Sequence, residues 1–282
     1  MIIDLKPKRV PILGHKGMRK IKNAIESQKK EHTISLSLNL NLNTAKVKIS
    51  PQTRSFTLPN GETLNFPRQF DPRKKVCYTI MDNQVHMMQT FDSKTDLFYQ
   101  LVPTSYRPIL KISATPMHKK PFLDYLERKK LRGKIFDGGT GLGYSAIIAS
   151  RTADNVITIE RDPNVLDLAR YNPHSYDLFT KPNIKIIQAD ITEEIKKHHY
   201  EKFDNLIQDG GMVNSSGTFY SQEHAHELFR VLKWKGRLYF YLPRHGIKKG
   251  RDFGAEQISR LKKAGFTLVK RYRKKSFAVL EK

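Results

Sequence analysis

The sequence offers little covalent or membrane support for a fold. Cys77 is the only cysteine among 282 residues, which excludes an intrachain disulfide framework and any cysteine-rich zinc site. No stretch approaches the ~20 uninterrupted apolar residues that a membrane-spanning helix needs. The opening MIIDLKPKRVPILG also lacks the apolar block and small-residue cleavage site of a secretory signal. The expectation is a soluble, cytoplasmic protein with no membrane partner. Acidic residues are scarce too: 27 Asp and Glu stand against 51 Lys and Arg, a formal charge of +24. Self-repulsion of that size weakens a compact fold, so a polyanion, above all structured RNA, is the expected partner. A solvated lysine-rich surface is the plainer alternative. Hydrophobic residues make up 38% of the chain, enough for a core, so global disorder is excluded.

The pattern divides near residue 115. Over residues 1–115, Met18, Ile21 and Ile25 recur at helical spacing between Lys16 and Lys30, among many cations, which reads as a basic amphipathic helix. Ile34, Leu36, Leu38, Leu40 and Leu42 then alternate with polar residues, the period of a half-buried strand. Two hairpins follow, one turning at Asn60-Gly61, where positive φ is tolerated, and one at Asp82-Asn83. This part is therefore expected to be a helix with a small antiparallel β unit, whose exposed edges would suit a homodimer as well as a monomer. Over residues 116–282 strands alternate with helices. Strands are expected at 134–137, 155–160, 183–188, 203–208 and 236–242, helices at 144–151, 164–171, 221–232 and 252–264, and a closing strand pair at 266–271 and 276–281. Such alternation implies an α/β fold with a mostly parallel sheet covered on both faces.

Within that second part, KIFDGGTGLGYSAIIAS places an acid at a strand end, then a glycine-rich turn, then a helix. Open α/β sheets bind ligands at such a place. Glycines there let the backbone take positive φ and let a ligand come close. Dinucleotide folds also pair a glycine loop with an acid about 20 residues on, but Asp137 ahead of the glycines would repel a pyrophosphate. It suits instead the cationic amino-acid end of S-adenosylmethionine. Glu160 ends the next strand and can accept both ribose hydroxyls. Asp190 follows the third strand and can accept from an adenine amino group. Each acid alone could equally be a solvated strand end or helix cap; three on consecutive strands form a pattern.

Those residues resemble class I S-adenosylmethionine-dependent methyltransferases, with a Rossmann-like, mostly parallel sheet and an antiparallel last strand. The segments RPILKISATPMHKKPFLDYLERKKLRGKIFDGGTGLGYSAI, ERDPNVLDLARYNP and FYSQEHAHELFRVLKWKGRLYFY extend the resemblance to a group of archaeal methyltransferases related in sequence to spermidine synthases. The resemblance implies S-adenosylmethionine as cofactor. Asp137, Gly139, Gly141 and Gly143 would lie at its methionine moiety, Glu160 at the ribose and Asp190 at the adenine, with Arg161 and Ile191 as further cofactor-binding residues.

The methyl acceptor is expected beyond the fourth strand, at Asp209-Gly210-Gly211-Met212. The resembling group carries Asp-Pro-Pro there, similar to the motif of enzymes that methylate exocyclic amines. The two glycines depart from it, which leaves a different acceptor or a lost activity open. Asp209, Gly210 and Tyr220 are the candidate catalytic residues, although an aromatic beside a helix start also serves packing. Met117 and His118, ahead of the first strand, are placed to close over the site. Arg244, Arg271 and Arg273 belong to a C-terminal basic cluster in which RYRKK interleaves an aromatic with cations. His198-His199 and His224-x-His226 lack metal-ligand spacing, so no metal is expected and these histidines read as exposed. The leading function is methylation of a ribosomal or transfer RNA base. The alternatives are a spermidine-synthase-like aminopropyltransferase and a non-catalytic RNA-binding protein.

Overall fold

A computed structural model describes residues 1–27, 30–117, 119–210, 218–242 and 252–282. The chain divides into two compact units: Lys6–His118 with Asp167–Tyr176, and Met1–Leu5 with Lys119–Leu166 and Asp177–Lys282.

The N-terminal unit is built on one helix and antiparallel strands. The helix α1 (His15–Ser27) buries Met18, Ile21, Ala24 and Ile25. It follows a short strand β1 (Ile12–Gly14). The apolar stripe of α1 shares a core with Val47, Ile49, Phe56, Leu64, Phe66 and Ile80. Four of those lie on a sheet ordered β2 (His32–Leu36), β3 (Ala45–Ser50), β4 (Ser55–Thr57), β5 (Thr63–Asn65). The alternation that predicts a strand through Leu42 breaks at Leu36. Ser37 Oγ accepts from the amides of Asn39 and Asn41, and Leu40 and Asn41 take φ of 50° and 72°. Local side-chain bonds of this kind compete with a ladder, and here they win. A second sheet joins β1, β6 (Cys77–Met81) and β7 (Gln84–Met87). A third, absent from the sequence-derived elements, is formed by β8 (Gln89–Asp92), β9 (Leu97–Val102), β10 (Ile109–Ile112) and β11 (Thr115–Pro116).

The second unit opens with a helix α2 (Lys120–Glu127) and carries a seven-stranded sheet. Its strands are β12 (Lys134–Gly138), β13 (Asn155–Glu160), β14 (Ile184–Gln188), β15 (Phe203–Gln208), β16 (Leu232–Tyr241), β17 (Thr267–Tyr272) and β18 (Phe277–Glu281). They run in the order β14-β13-β12-β15-β16-β18-β17, and only β18 is antiparallel to its neighbours. Between them lie α3 (Tyr144–Ser150), α4 (Pro163–Tyr171), α5 (Tyr176–Thr180), α6 (Ile191–Glu194), α7 (Gln222–Val231) and α8 (Phe253–Lys263). Leu228 and Val231 of α7 and Ile258 and Leu261 of α8 share a core with Phe136, Leu206, Leu238, Phe240 and Leu280 of the sheet. On α2, Phe122 and Tyr125 set their rings 5.3 and 4.9 Å from Phe277. The N-terminal residues cover the β14 edge: Ile3 donates to Ile186 at 3.2 Å and Gln188 to Met1 at 3.0 Å. An edge strand paired in this way cannot recruit a foreign strand.

Candidate functional site at the carboxyl ends of the parallel strands

The chain runs outward from β12 through β13 to β14 and then returns to β15 on the other side of β12, so the topological switch lies between β12 and β15. Asp137 sits at its carboxyl end and is fully buried. Its Oδ2 accepts from the Thr158 hydroxyl at 2.7 Å, and Thr158 meets Thr140 at 2.7 Å. Among the described residues its Oδ1, also buried, has no hydrogen-bond partner. Burial, opposed by the Thr158 and Ser145 hydroxyls, pushes this carboxyl up to about 7. A desolvated acid with an unmet acceptor is costly in itself, and such groups mark ligand sites.

The loop after Asp137 cannot be built from other residues. Gly139 has φ +99°, and a Cβ there would lie 2.6 Å from Gly210 Cα. Gly143 has φ +78° and caps α3 in the left-handed region, where a Cβ would strike Leu178 at 2.6 Å. Gly141 donates its amide to Glu160 Oε2 at 3.0 Å, and Asp162 donates to Oε1 at 3.1 Å. Glu160 thus holds the loop through one oxygen, while the other caps the turn at Asp162, leaving acceptor positions on both. Burial raises its pKa against those amides. Asp190 caps α6 through Oδ1, which accepts from the Thr192 amide at 2.8 Å and hydroxyl at 2.6 Å. Its Oδ2 is 3.8 Å from Arg161. Burial raises the Asp190 pKa, but the Thr192 bonds with Arg161 outweigh it and leave the carboxyl below its ordinary value. Ile191 packs its Cδ1 onto Gly138, leaving no room for a side chain there.

Asp209 and Gly210 close the same cluster. The Asp209 amide donates to Gly138 O at 2.8 Å, which draws the end of β15 against the glycine loop. The Asp209 carboxylate is buried and paired with Lys119 Nζ at 2.7 Å. The same ammonium donates to Asp209 O at 2.5 Å and lies 5.1 Å from the centre of the Tyr241 ring. Burial raises the Asp209 pKa while Lys119 opposes it. The Tyr220 hydroxyl donates to Gly210 O at 3.4 Å, and its ring packs edge-on at 4.8 Å from Phe219 and 4.9 Å from Phe253. Burial and the Asp209 charge both raise its pKa.

Direct contacts therefore join Glu160 with Gly141, Gly139 with Gly210, and Gly210 with Tyr220, Asp209 binds Gly138 next to Asp137, and Arg161 pairs with Asp190. Arg271 and Arg273 are not part of this group; both bind Asp252, at 2.5 and 3.2 Å. Met117 belongs to the N-terminal unit and donates its amide to Leu110. His118, Arg244 and the Gly211-Met212 half of the turn lie outside the described residues. The expectation of exposed histidines fails at two positions. His198 and His224 are buried, with pKa lowered to about 4 by desolvation. They pack as aromatic rings, at 5.5 Å from Phe136 and 5.3 Å from Phe219. Among the described residues no cluster of three His, Cys, Asp or Glu could hold a metal. Lys119 escaped the sequence reading. Its only signal is its place directly after Met117-His118, and a lysine among so many carries no mark of burial.

No family model matches the chain. At 37% identity it aligns with the uncharacterized protein MJ1233 of Methanocaldococcus jannaschii over 89% of each. Two spermidine synthase crystal structures share its fold, each covering 71% of this chain and 75% of the other. One, in complex with the transition state analogue AdoDATO, gives a TM-score of 0.54 at 15% identity; that from Thermotoga maritima gives 0.52 at 14%. The likeness is one of fold: the chain has a spermidine-synthase-like α/β architecture.

Proposed function

The chain belongs to the same family as MJ1233 of M. jannaschii, and from that premise we propose that it is an S-adenosylmethionine-dependent methyltransferase acting on RNA. The observation that carries the donor half is the unmet Oδ1 of buried Asp137 beneath a loop of three positive-φ glycines. A cationic amino-acid group supplies what that oxygen lacks, and the bare backbone leaves space for it to approach. Asp137 and the loop would hold the methionine end, Glu160 the ribose hydroxyls, and Asp190 with Ile191 the adenine. When bound, the donor supplies an electrophilic methyl group on a sulfonium.

The chain's own residues then position the acceptor. Asp209 and Gly210 stand against the glycine loop, the Tyr220 hydroxyl bonds Gly210, and Asp209 and Tyr220 are buried. Rate there comes from orientation and exclusion of water rather than from strong acid or base chemistry. The acceptor half rests on charge, since an excess of 24 cations suits a polyphosphate backbone. The deciding experiment is transfer of a tritiated methyl group from S-adenosylmethionine to total RNA, run beside protein and polyamine acceptors. Label in RNA alone supports the reading; label only in protein or polyamine replaces the acceptor, and none anywhere rejects the enzyme.

A further inference from the structure

Lys119 is an uncommon feature: an ammonium held on a buried carboxylate, a backbone carbonyl and an aromatic face at the mouth of a cofactor site. Its side chain keeps 20% of its exposure and that of Asp209 keeps 8%, so solvent screens the pair only in part. The surrounding charges give it a task. Asp137 and Asp209 end neighbouring parallel strands, and their mutual repulsion raises the Asp137 pKa. Among the described residues Lys119 is the one cation paired with either, and its charge is felt at Asp137 as well. With both carboxylates ionised, the form that a bound cationic donor favours, Asp137, Asp209 and Lys119 together carry a net charge of about minus one. Without Lys119 it would be about minus two.

Adenosylated donors come in two charge types. S-adenosylmethionine carries a sulfonium, an ammonium and a carboxylate, a net of plus one. Its decarboxylated form, the donor of aminopropyl groups, lacks the carboxylate and is plus two. The two forms undergo attack at different carbons, so a pocket that selects between them selects the reaction.

We propose that Lys119 biases donor choice at this site: its ammonium offsets Asp209 and weakens the pull on the doubly charged decarboxylated donor more than the pull on the singly charged carboxylated one. This rests on the proposed function, because it assumes an adenosylated donor at Asp137. It goes beyond it by assigning the choice between methyl and aminopropyl transfer to one side chain. Lys119 acts through charge and requires no contact with the methyl group, so it is a specificity residue and not a catalytic one.

Calorimetric titration of the full chain with S-adenosylmethionine and, separately, its decarboxylated form tests the inference. The ratio of affinities, carboxylated over decarboxylated, should be roughly tenfold or more higher in the wild type than in Lys119→Met, as one partly screened charge implies. Lys119→Arg should retain the wild-type ratio, and Asp209→Asn, which removes a negative charge while keeping Lys119, should raise it. Thermal melts of each variant separate a lost fold from a changed preference. Lys119→Met leaves Asp209 buried without its ion-pair partner, so Asp209→Asn supplies the second arm. An unchanged ratio of affinities in both folded variants overturns the assignment while leaving the methyltransferase reading intact. Failure of the wild type to bind either donor overturns both.

Discussion

Asp137 is where the chemistry of single residues is most exposed to test. Its carboxyl titrates near pH 7 in the folded protein against an ordinary value of 3.8. The folded state therefore holds a proton there that the unfolded state has released between those values, and this group's contribution to stability falls as pH rises from about 4 to 7. A cationic donor has the opposite preference and favours the ionised acid. Donor affinity should therefore rise with pH through about 7, with proton release on binding near neutrality. Titrations in buffers of different ionisation enthalpy would register that release; an affinity flat from pH 5.5 to 8 contradicts it. Asp137, Glu160 and Asp190 were legible in the sequence because each follows a strand and the glycines lie between the first two. Asp190 is also a helix cap, the plainer reading the sequence allowed. Lys119 was not legible, because its partner lies 90 residues away and nothing local to a lysine announces a buried ion pair.

At the scale of elements, the close approach of the β12 loop to the end of β15 is the feature that positions the site. A side chain at Gly139 would meet backbone atoms of Gly210 at 2.6 and 2.8 Å, and backbone cannot swing aside as a long side chain can. Gly139→Ala should cost more than about 2 kcal/mol of stability, measured by denaturant unfolding, and should separate Asp209 from the loop. A helix cap offers a gentler comparison. The Ser221 side chain accepts from the His224 amide at 3.1 Å to start α7. Ser221→Ala should cost about 1 kcal/mol and leave donor affinity within about twofold. Periodicity made the parallel strands and α7 and α8 readable because their apolar faces repeat. It misled at Leu38–Leu42, where Ser37 and Asn39 offered the backbone closer partners than a neighbouring strand. It missed α2, although Pro121 at its start and the spacing of Phe122, Leu123 and Leu126 carry a helix signal.

For the whole molecule, charge and buried histidine set the dependence on solution conditions. His198 and His224 have folded pKa values near 4 against 6.5. A depressed base contributes stability that is present above 6.5 and is lost as pH falls toward 4. The donor-free protein should lose stability across that window, less so in the His198→Gln and His224→Gln variants, with protonation of Asp137 acting in the opposite sense. The excess of cations makes a second forecast. RNA affinity should fall by about a thousandfold between roughly 50 and 200 mM salt if some six phosphates are contacted; an affinity insensitive to salt would remove charge as the basis of recognition. That charge was legible from composition alone, whereas the surface that would hold RNA was not. Arg271 and Arg273, expected to serve it, share the carboxylate of Asp252. The central claim remains the donor at Asp137, and calorimetry of S-adenosylmethionine binding to the wild type and to Asp137→Ala tests it most directly. The account predicts saturable one-to-one binding by the wild type that the variant loses while still folded. No binding by the wild type, or equal binding by both proteins, would contradict it.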